Sequence, residues 1–185
     1  KSIFIFRRDL RLIDNISFIE CYKNSDKILP IFIFTPEQIN PSKNKYFSSN
    51  GFQFMIESLE ELNKELKKYG TRLHYYYGDN VDVLTKILKE FAYDTIYFNK
   101  DYTNYALKRD DEIKRFCDKE NVNMMSLEDY LLNEIGTYLK EDGTDYQKFT
   151  PFKNHALSFP VPKPLSNIKF NSSKFIKITS SSIGI

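Results

Sequence analysis

Three arginines and two aspartates follow the first apolar segment of the chain. Residues 2–6 read SIFIF, and residues 7–15 read RRDLRLIDN. Each arginine guanidinium is a planar, permanently charged fork that matches phosphate or carboxylate oxygens. Cations this close together need anionic partners, so we expect the cluster to have a ligand-binding or interdomain role. The alternative is a solvated loop in which Asp14 or Asn15 caps the next helix.

Two more polar segments follow apolar runs. The run 95–98 is followed by Asn99, Lys100, Asp101, Tyr102 and Thr103, and the run 28–34 is followed by Thr35. In an open parallel sheet, ligands bind outside the carboxyl ends of the strands, where the strand order reverses. The sequence therefore predicts a cleft between the loops after strands one, two and four. Polar and aromatic side chains there could hold a flat ligand with polar edges.

The segment 44–50, NKYFSSN, precedes a long amphipathic pattern. Its serines and Asn50 suit the first turn of a helix, where free N–H groups favour an anionic ligand. Asn50 is therefore a further candidate for the cleft.

Other chemistry is excluded or weakly supported. The chain has six glycines, and neither GxGxxG nor GxxxxGK[ST] nor GxSxG occurs. His74 lies inside an apolar run and is expected to be structural. His155 has no cysteine or carboxylate at ligand spacing, so we expect no metal site. Cys21 and Cys117 form no CxxC motif and are expected to be free, buried thiols.

Charge and hydropathy limit the class of protein. The 27 basic and 25 acidic residues give a net charge of +2, too balanced to indicate nucleic-acid binding by composition alone. No apolar run is long enough to span a membrane, and no secretory leader opens the sequence. We therefore expect an intracellular protein, cytoplasmic or nuclear, that is not secreted and not inserted in a membrane.

The apolar patterns alternate between two periods. Continuous apolar runs at 2–6, 28–34, 73–77, 95–98 and 121–125 are typical of strands buried on both faces. Helical patterns separate them; the longest extends from Phe52 to Leu66 and is followed by Gly70. This alternation predicts an α/β fold, a doubly wound, Rossmann-like five-stranded parallel sheet with strand order 3-2-1-4-5.

The regular pattern ends near residue 132. We predict an α/β core over 1–132 and an extended excursion packing on the domain over 133–165. Residues 166–185 are rich in Ser, Asn and Lys and are predicted to be an interdomain linker or a frayed tail.

Five segments, in order, resemble the DNA photolyase/cryptochrome family. FRRDLRLIDN at 6–15 resembles the opening motif of the family, and FNKDYTNYALKRDDEI at 98–113 is similar to its fourth strand and following loop. The others are ILPIFIFTPEQI at 28–39, NKYFSSNGFQFMIESLEEL at 44–62 and YQKFTPFKNHAL at 146–157. The resemblance implies the N-terminal α/β domain, which can hold an antenna chromophore: methenyltetrahydrofolate, FMN or a deazaflavin.

The resemblance also implies a second, helical domain. In the family that domain holds FAD, the tryptophan electron path and most of the DNA-binding surface, whereas this chain has no tryptophan. We therefore expect FAD only through a helical half in the same or a separate chain, and DNA contact only indirectly. The family's enzymes are deoxyribodipyrimidine photo-lyases, and their activity depends on that half. Whether this chain is an enzyme therefore stays open, and we expect no catalytic residues in it.

One departure affects the chromophore. In folate-binding members of one bacterial type, an Asn-Glu pair in the fourth loop grips the pterin, and the matching residues here are Tyr105 and Ala106. Tyr105 could still line a pocket of a different pattern. The residues expected to bind the cofactor are Phe6, Arg7, Arg8, Thr35, Asn50, Asp101, Tyr102 and Tyr105.

Two functions follow. The first is a light-harvesting antenna domain of a split or truncated DNA photolyase, which supports light-driven repair of pyrimidine dimers. The alternative is a non-catalytic interaction or ligand-sensing module that kept the fold and lost the chromophore. The sequence leaves open which chromophore, which lesion (cyclobutane dimer or (6-4) product), a signalling role and the oligomeric state.

Overall fold

A computed structural model describes residues 1–165 and 168–177. Five parallel strands form one sheet in the order β3-β2-β1-β4-β5, which confirms the predicted fold class. The strands are β1 (Ser2–Phe6), β2 (Ile28–Phe34), β3 (His74–Tyr77), β4 (Thr95–Asn99) and β5 (Asn123–Leu127). Strand β5 begins two residues later than the predicted run.

The helices cover both faces of the sheet. They are α1 (Ile16–Asn24), α2 (Pro36–Ile39), α3 (Ser49–Lys67), α4 (Asn80–Phe91), α5 (Asn104–Glu120) and α6 (Phe149–Ala156), with a 3₁₀ turn at Ser172–Lys174. Side chains that accept a hydrogen bond from the first turn begin four of them: Asn15, Ser48, Asp79 and Thr103. The predicted capping role thus belongs to Asn15 rather than Asp14.

Alternate residues of the central strands feed two separate apolar layers. Ile3 and Ile5 face the layer formed with α4 and α5, whereas Phe4 and Phe6 face the layer formed with α1 and α3. Every residue of β1, β2 and β4 is buried, because helices cover both sides of these strands. Cys21 and Cys117 are free, buried thiols, as predicted. They lie in opposite layers.

The structure corrects the description of the C-terminal third. The excursion 133–165 is not extended throughout, because α6 forms within it and has no buried residue. The predicted linker or frayed tail is packed against the domain over residues 168–177. Phe175 is 2% exposed and pairs with Ile28 in a parallel bridge. The rest of that predicted tail, 166–167 and 178–185, lies outside the described residues.

Within the described part of the chain, no helix is both long and apolar enough to cross a membrane.

Candidate ligand-binding site

Arg7 follows β1 directly, and its side chain is 7% exposed. Its guanidinium lies 3.7 Å from the ring centroid of Phe98, and its Nη2 lies 2.9 Å from Oδ1 of Asp110 on α5. Burial, together with the positive charge of Arg109, lowers the pKa of Arg7 to about 10, although Asp110 opposes the shift. Arg7 therefore forms part of the floor of the site.

Arg8 points toward solvent and is 68% exposed at its side chain. Its Nη1 lies 3.4 Å from Oδ1 of Asp101, which is buried at the carboxyl end of β4. Burial would raise the pKa of Asp101, but hydrogen bonds from the N–H groups of Thr103 and Tyr102 and the charge of Arg8 outweigh it and lower that pKa. The backbone of the loop after β4 thus stabilises the ionised carboxylate of Asp101.

Arg11 belongs to a different network. Its Nη2 donates to Oδ2 of Asp129, at 2.7 Å, and the Asp129 side chain is 1% exposed. Asn99, at the end of β4, donates to Asp129 (3.1 Å), to Asn15 (2.9 Å) and to Asp9. This network ties the loop after β1 to β4 and to the loop after β5. Arg7, Arg8 and Arg11 thus each pair with a carboxylate of this domain.

A cavity of about 700 Å³ opens at this end of the sheet. It lies between the loops after β1, β2 and β4, as predicted, and α3 forms a further wall. The expected residues Arg7, Arg8, Asp101 and Tyr105 line it. The full lining is Arg7, Arg8, Asp9, Leu10, Arg11, Phe32, Glu37, Gln38, Asn44, Phe54, Met55, Ser58, Glu61, Asp101, Thr103, Tyr105 and Arg109.

The other expected residues lie elsewhere. Phe6 and Thr35 line a small adjoining cavity of about 20 Å³, which also contacts Arg7, Tyr105 and Arg109. The hydroxyls of Thr35 and Tyr105 are 3.1 Å apart, so Thr35 supports one wall of the main cavity.

Tyr102 and Asn50 do not line the main cavity. Tyr102 lines a separate groove of about 410 Å³ beside Tyr130, and its hydroxyl donates to Glu128. Burial and the neighbouring Glu128 carboxylate raise the pKa of Tyr102. Asn50 lies in the exposed first turn of α3.

Two parts of the cavity lining were not predicted from the sequence: one face of α3, and Arg109. Phe54, Met55, Ser58 and Glu61 recur at helical spacing on one face of α3, and that spacing was a usable signal for a wall. Arg109 lies in the second turn of α5. A charged residue in an amphipathic helix is usually exposed, so the sequence gives no sign that Arg109 lines the cavity. Its side chain is 9% exposed, and its Nε lies 2.9 Å from Oδ1 of Asp110.

The residues present suit a polar organic ligand better than a metal. Within residues 1–165 and 168–177, no three His, Cys, Asp or Glu side chains are grouped as metal ligands would be. His74 is buried in β3, and His155 contacts the rings of Tyr146 and Phe159. The cavity instead combines guanidinium groups, carboxylates and aromatic rings, which bind flat molecules by hydrogen bonding and stacking.

The strand order and the helices define a doubly wound α/β domain of the Rossmann-like type. The DNA photolyase family model matches residues 2–167, so the chain belongs to the DNA photolyase family. The resemblance of the five sequence segments is thereby confirmed.

Individual relatives agree with this assignment. The chain is 27% identical to Cryptochrome-1 of Aedes aegypti, over 97% of the chain and 34% of that protein. It is 32% identical to a deoxyribodipyrimidine photo-lyase of Alkalihalophilus pseudofirmus, over 80% of the chain and 30% of that protein.

A solved structure is similar over almost the same span. It is an archaeal photolyase from Sulfolobus tokodaii with two FAD molecules, for which a novel light-harvesting cofactor is implied. The TM-score is 0.79 at 34% identity, covering 95% of this chain and 38% of that one. The chain thus spans about a third of the length of the relatives it matches.

Proposed function

We propose that this chain is the antenna domain of a DNA photolyase. In this role it binds a light-harvesting chromophore in the cavity between the loops after β1, β2 and β4. The chromophore passes its excitation to FAD held by a helical half, in the same or a separate chain. That half carries out light-driven repair of pyrimidine dimers and contacts the DNA.

One observation carries the proposal. The cavity of about 700 Å³ lies at the switch point of a photolyase-family sheet and has the size of a cofactor site. Its lining combines aromatic, cationic and acidic side chains, so it can contact both the rings and the polar edges of a chromophore.

A flavin or deazaflavin is the chromophore class we favour over methenyltetrahydrofolate. The Sulfolobus tokodaii photolyase, which is similar in fold, holds two FAD molecules, and one of them can serve as a model for an antenna flavin. The folate-gripping Asn-Glu pair is replaced here by Tyr105 and Ala106. Ala106 is fully buried, and the Tyr105 hydroxyl is bonded to Thr35, so neither offers a carboxylate to a pterin.

The direct test is titration of the purified chain with FMN, FAD, a deazaflavin and methenyltetrahydrofolate. We expect a flavin or deazaflavin to bind, with a shifted near-UV or blue absorption band and changed fluorescence. Addition of a photolyase helical half loaded with FAD should then quench the antenna fluorescence by energy transfer. Binding of none of the four would contradict the antenna role and favour the chromophore-free interaction module.

Two variants locate the site. Arg8→Ala should weaken chromophore binding, since Arg8 lines the cavity without supporting the core. Arg115→Ala is the matched control, because its side chain is also 68% exposed but lies on α5 away from the cavity. Asp101→Asn should weaken binding as well and keep the fold. If Arg8→Ala and Asp101→Asn bound the chromophore as tightly as the control does, the binding site would lie outside this cavity.

A further inference from the structure

Two buried guanidinium groups share one carboxylate beneath the cavity. Oδ1 of Asp110 lies 2.9 Å from Nη2 of Arg7 and 2.9 Å from Nε of Arg109. The exposed fractions of the three side chains are only 7%, 9% and 17% for Arg7, Arg109 and Asp110. Among the described residues neither arginine has a second carboxylate within ion-pair distance. Within ion-pair distance, the two guanidinium groups therefore share a single carboxylate.

Two buried guanidinium groups that share one carboxylate are costly. Removing a guanidinium from water is offset only where an anion and hydrogen bonds compensate it. The lowered pKa of Arg7 has the same cause, since burial and the charge of Arg109 both disfavour its protonated form.

Nη2 of Arg7 and Nη2 of Arg109 are both buried and lack a hydrogen-bond acceptor among residues 1–165 and 168–177. Nη2 of Arg7 still lies 2.9 Å from Oδ1 of Asp110, whereas Arg109 meets Asp110 through Nε, so the donor left for a ligand is Nη2 of Arg109. A buried donor without an acceptor is destabilising, so native proteins rarely leave one unpaired. Arg109 lines both the main cavity and the small cavity beside it. The small cavity, about 20 Å³, has room for about one water, and a neutral water would not balance the charge.

We infer that Arg109 is the ligand-binding residue that selects an oxyanion of the chromophore, such as the phosphate of a flavin nucleotide. The inference rests on the proposed function and specifies its chemistry. A phosphate on Arg109 would balance the second guanidinium and receive charge-assisted hydrogen bonds from the fork. Arg109 thereby favours nucleotide forms of the chromophore over forms that lack a phosphate.

Replacing Arg109 distinguishes a ligand-binding role of this residue from a purely structural one. In Arg109→Met the remaining pair, Arg7 and Asp110, is balanced in charge, and methionine retains much of the arginine length. A binding role therefore predicts weaker binding of FMN with an unchanged or higher melting temperature. A purely structural role predicts a lower melting temperature and no selective change between ligands.

The experiment compares FMN with riboflavin, which lacks the phosphate, by fluorescence titration of the whole chain. We expect the wild type to bind FMN about tenfold more tightly than riboflavin. Arg109→Met should lose that preference by weakening FMN and leaving riboflavin nearly unchanged. Arg109→Lys, which keeps the charge but not the fork, should retain part of it. Inorganic pyrophosphate should compete with FMN in the wild type but not in Arg109→Met.

Arg115→Met is the matched control on the same helix, and its preference should equal that of the wild type. Wild-type binding without a preference for FMN, or the same preference in Arg109→Met, would overturn the inference and leave the antenna proposal standing. Failure of the wild type to bind any flavin, deazaflavin or folate would overturn both.

Discussion

Asp110 pairs with Arg7 and Arg109 together, and its replacement would leave two buried guanidiniums without an anion. Asp110→Asn is expected to lower the free energy of unfolding by about 3–5 kcal/mol, the usual cost of breaking a buried ion pair. Denaturant titration measures the change. Asp111→Asn is the control, because Asp111 pairs with Arg115 on the exposed face of α5, and such pairs contribute about 1 kcal/mol or less. Equal effects of the two changes would show that the buried cluster is not held by Asp110.

His74 makes stability depend on pH. It is 8% exposed, and burial, with a smaller effect of Arg72, lowers its pKa to about 4. The unfolded chain, with a histidine pKa of about 6.5, takes up the proton first as the pH falls. The stability due to neutral His74 is thus present above about pH 6.5 and lost toward pH 4, by about 2 kcal/mol at pH 4.5.

The measurement is urea unfolding of the wild type and His74→Phe at pH 7 and pH 4.5. The loss of stability on acidification should be smaller in His74→Phe by about that amount. His155→Gln controls for the removal of a histidine and should lose as much stability as the wild type. A wild-type loss no larger than that of His74→Phe would contradict the prediction.

At the scale of elements, the segment 168–177 behaves as part of the domain. Phe170 and Phe175 pack on the layer formed by α1 and α3, with Phe170 5.3 Å from the ring of Phe18. Lys174 reaches back to the carbonyl oxygen of Tyr22 at 2.8 Å. The parallel bridge between Phe175 and Ile28 adds backbone pairing at the start of β2.

Phe175→Ala should therefore destabilise the protein by about 3–5 kcal/mol, as expected for a buried phenylalanine. Phe149→Ala, at a ring that is 73% exposed on α6, should change stability by about 0.5 kcal/mol or less. Thermal unfolding of both variants compares the two segments. A small effect of Phe175→Ala would mean that 168–177 is only loosely attached in solution.

For the molecule as a whole, the described residues form a sheet domain that we expect to bind a chromophore without splitting pyrimidine dimers. We propose that the FAD and the lesion pocket belong to a helical half, in the same or a separate chain. The test is illumination of the chain with an oligothymidine that contains cyclobutane dimers, followed by chromatography of the products. Light-dependent repair by the chain alone would contradict the expectation that repair requires a helical half. Repair only after such a half is added would support it.

Much of the architecture could be predicted because it depends on local periodicity. The apolar runs of β1, β2 and β4 coincide with the observed strands within a residue. Their continuous burial requires helices on both faces, and the alternation of strands and helices then favours one sheet topology. The short helix α2 and the exposed helix α6 were missed, because neither has a buried residue that would give it a pattern.

The sequence alone determined the fold, the family and the end of the sheet at which a ligand would lie. These follow from patterns along the chain and from the rule that polar loops gather at the carboxyl ends of parallel strands. Only the tertiary structure decided which charges meet. Arg7 pairs with a carboxylate 103 residues away, and Arg11 with one 118 residues away. Such partners are set by side-chain positions across the sheet, which no local spacing encodes. For the same reason the buried donor of Arg109, and with it the inferred preference for an oxyanion, could be recognised only in the folded molecule.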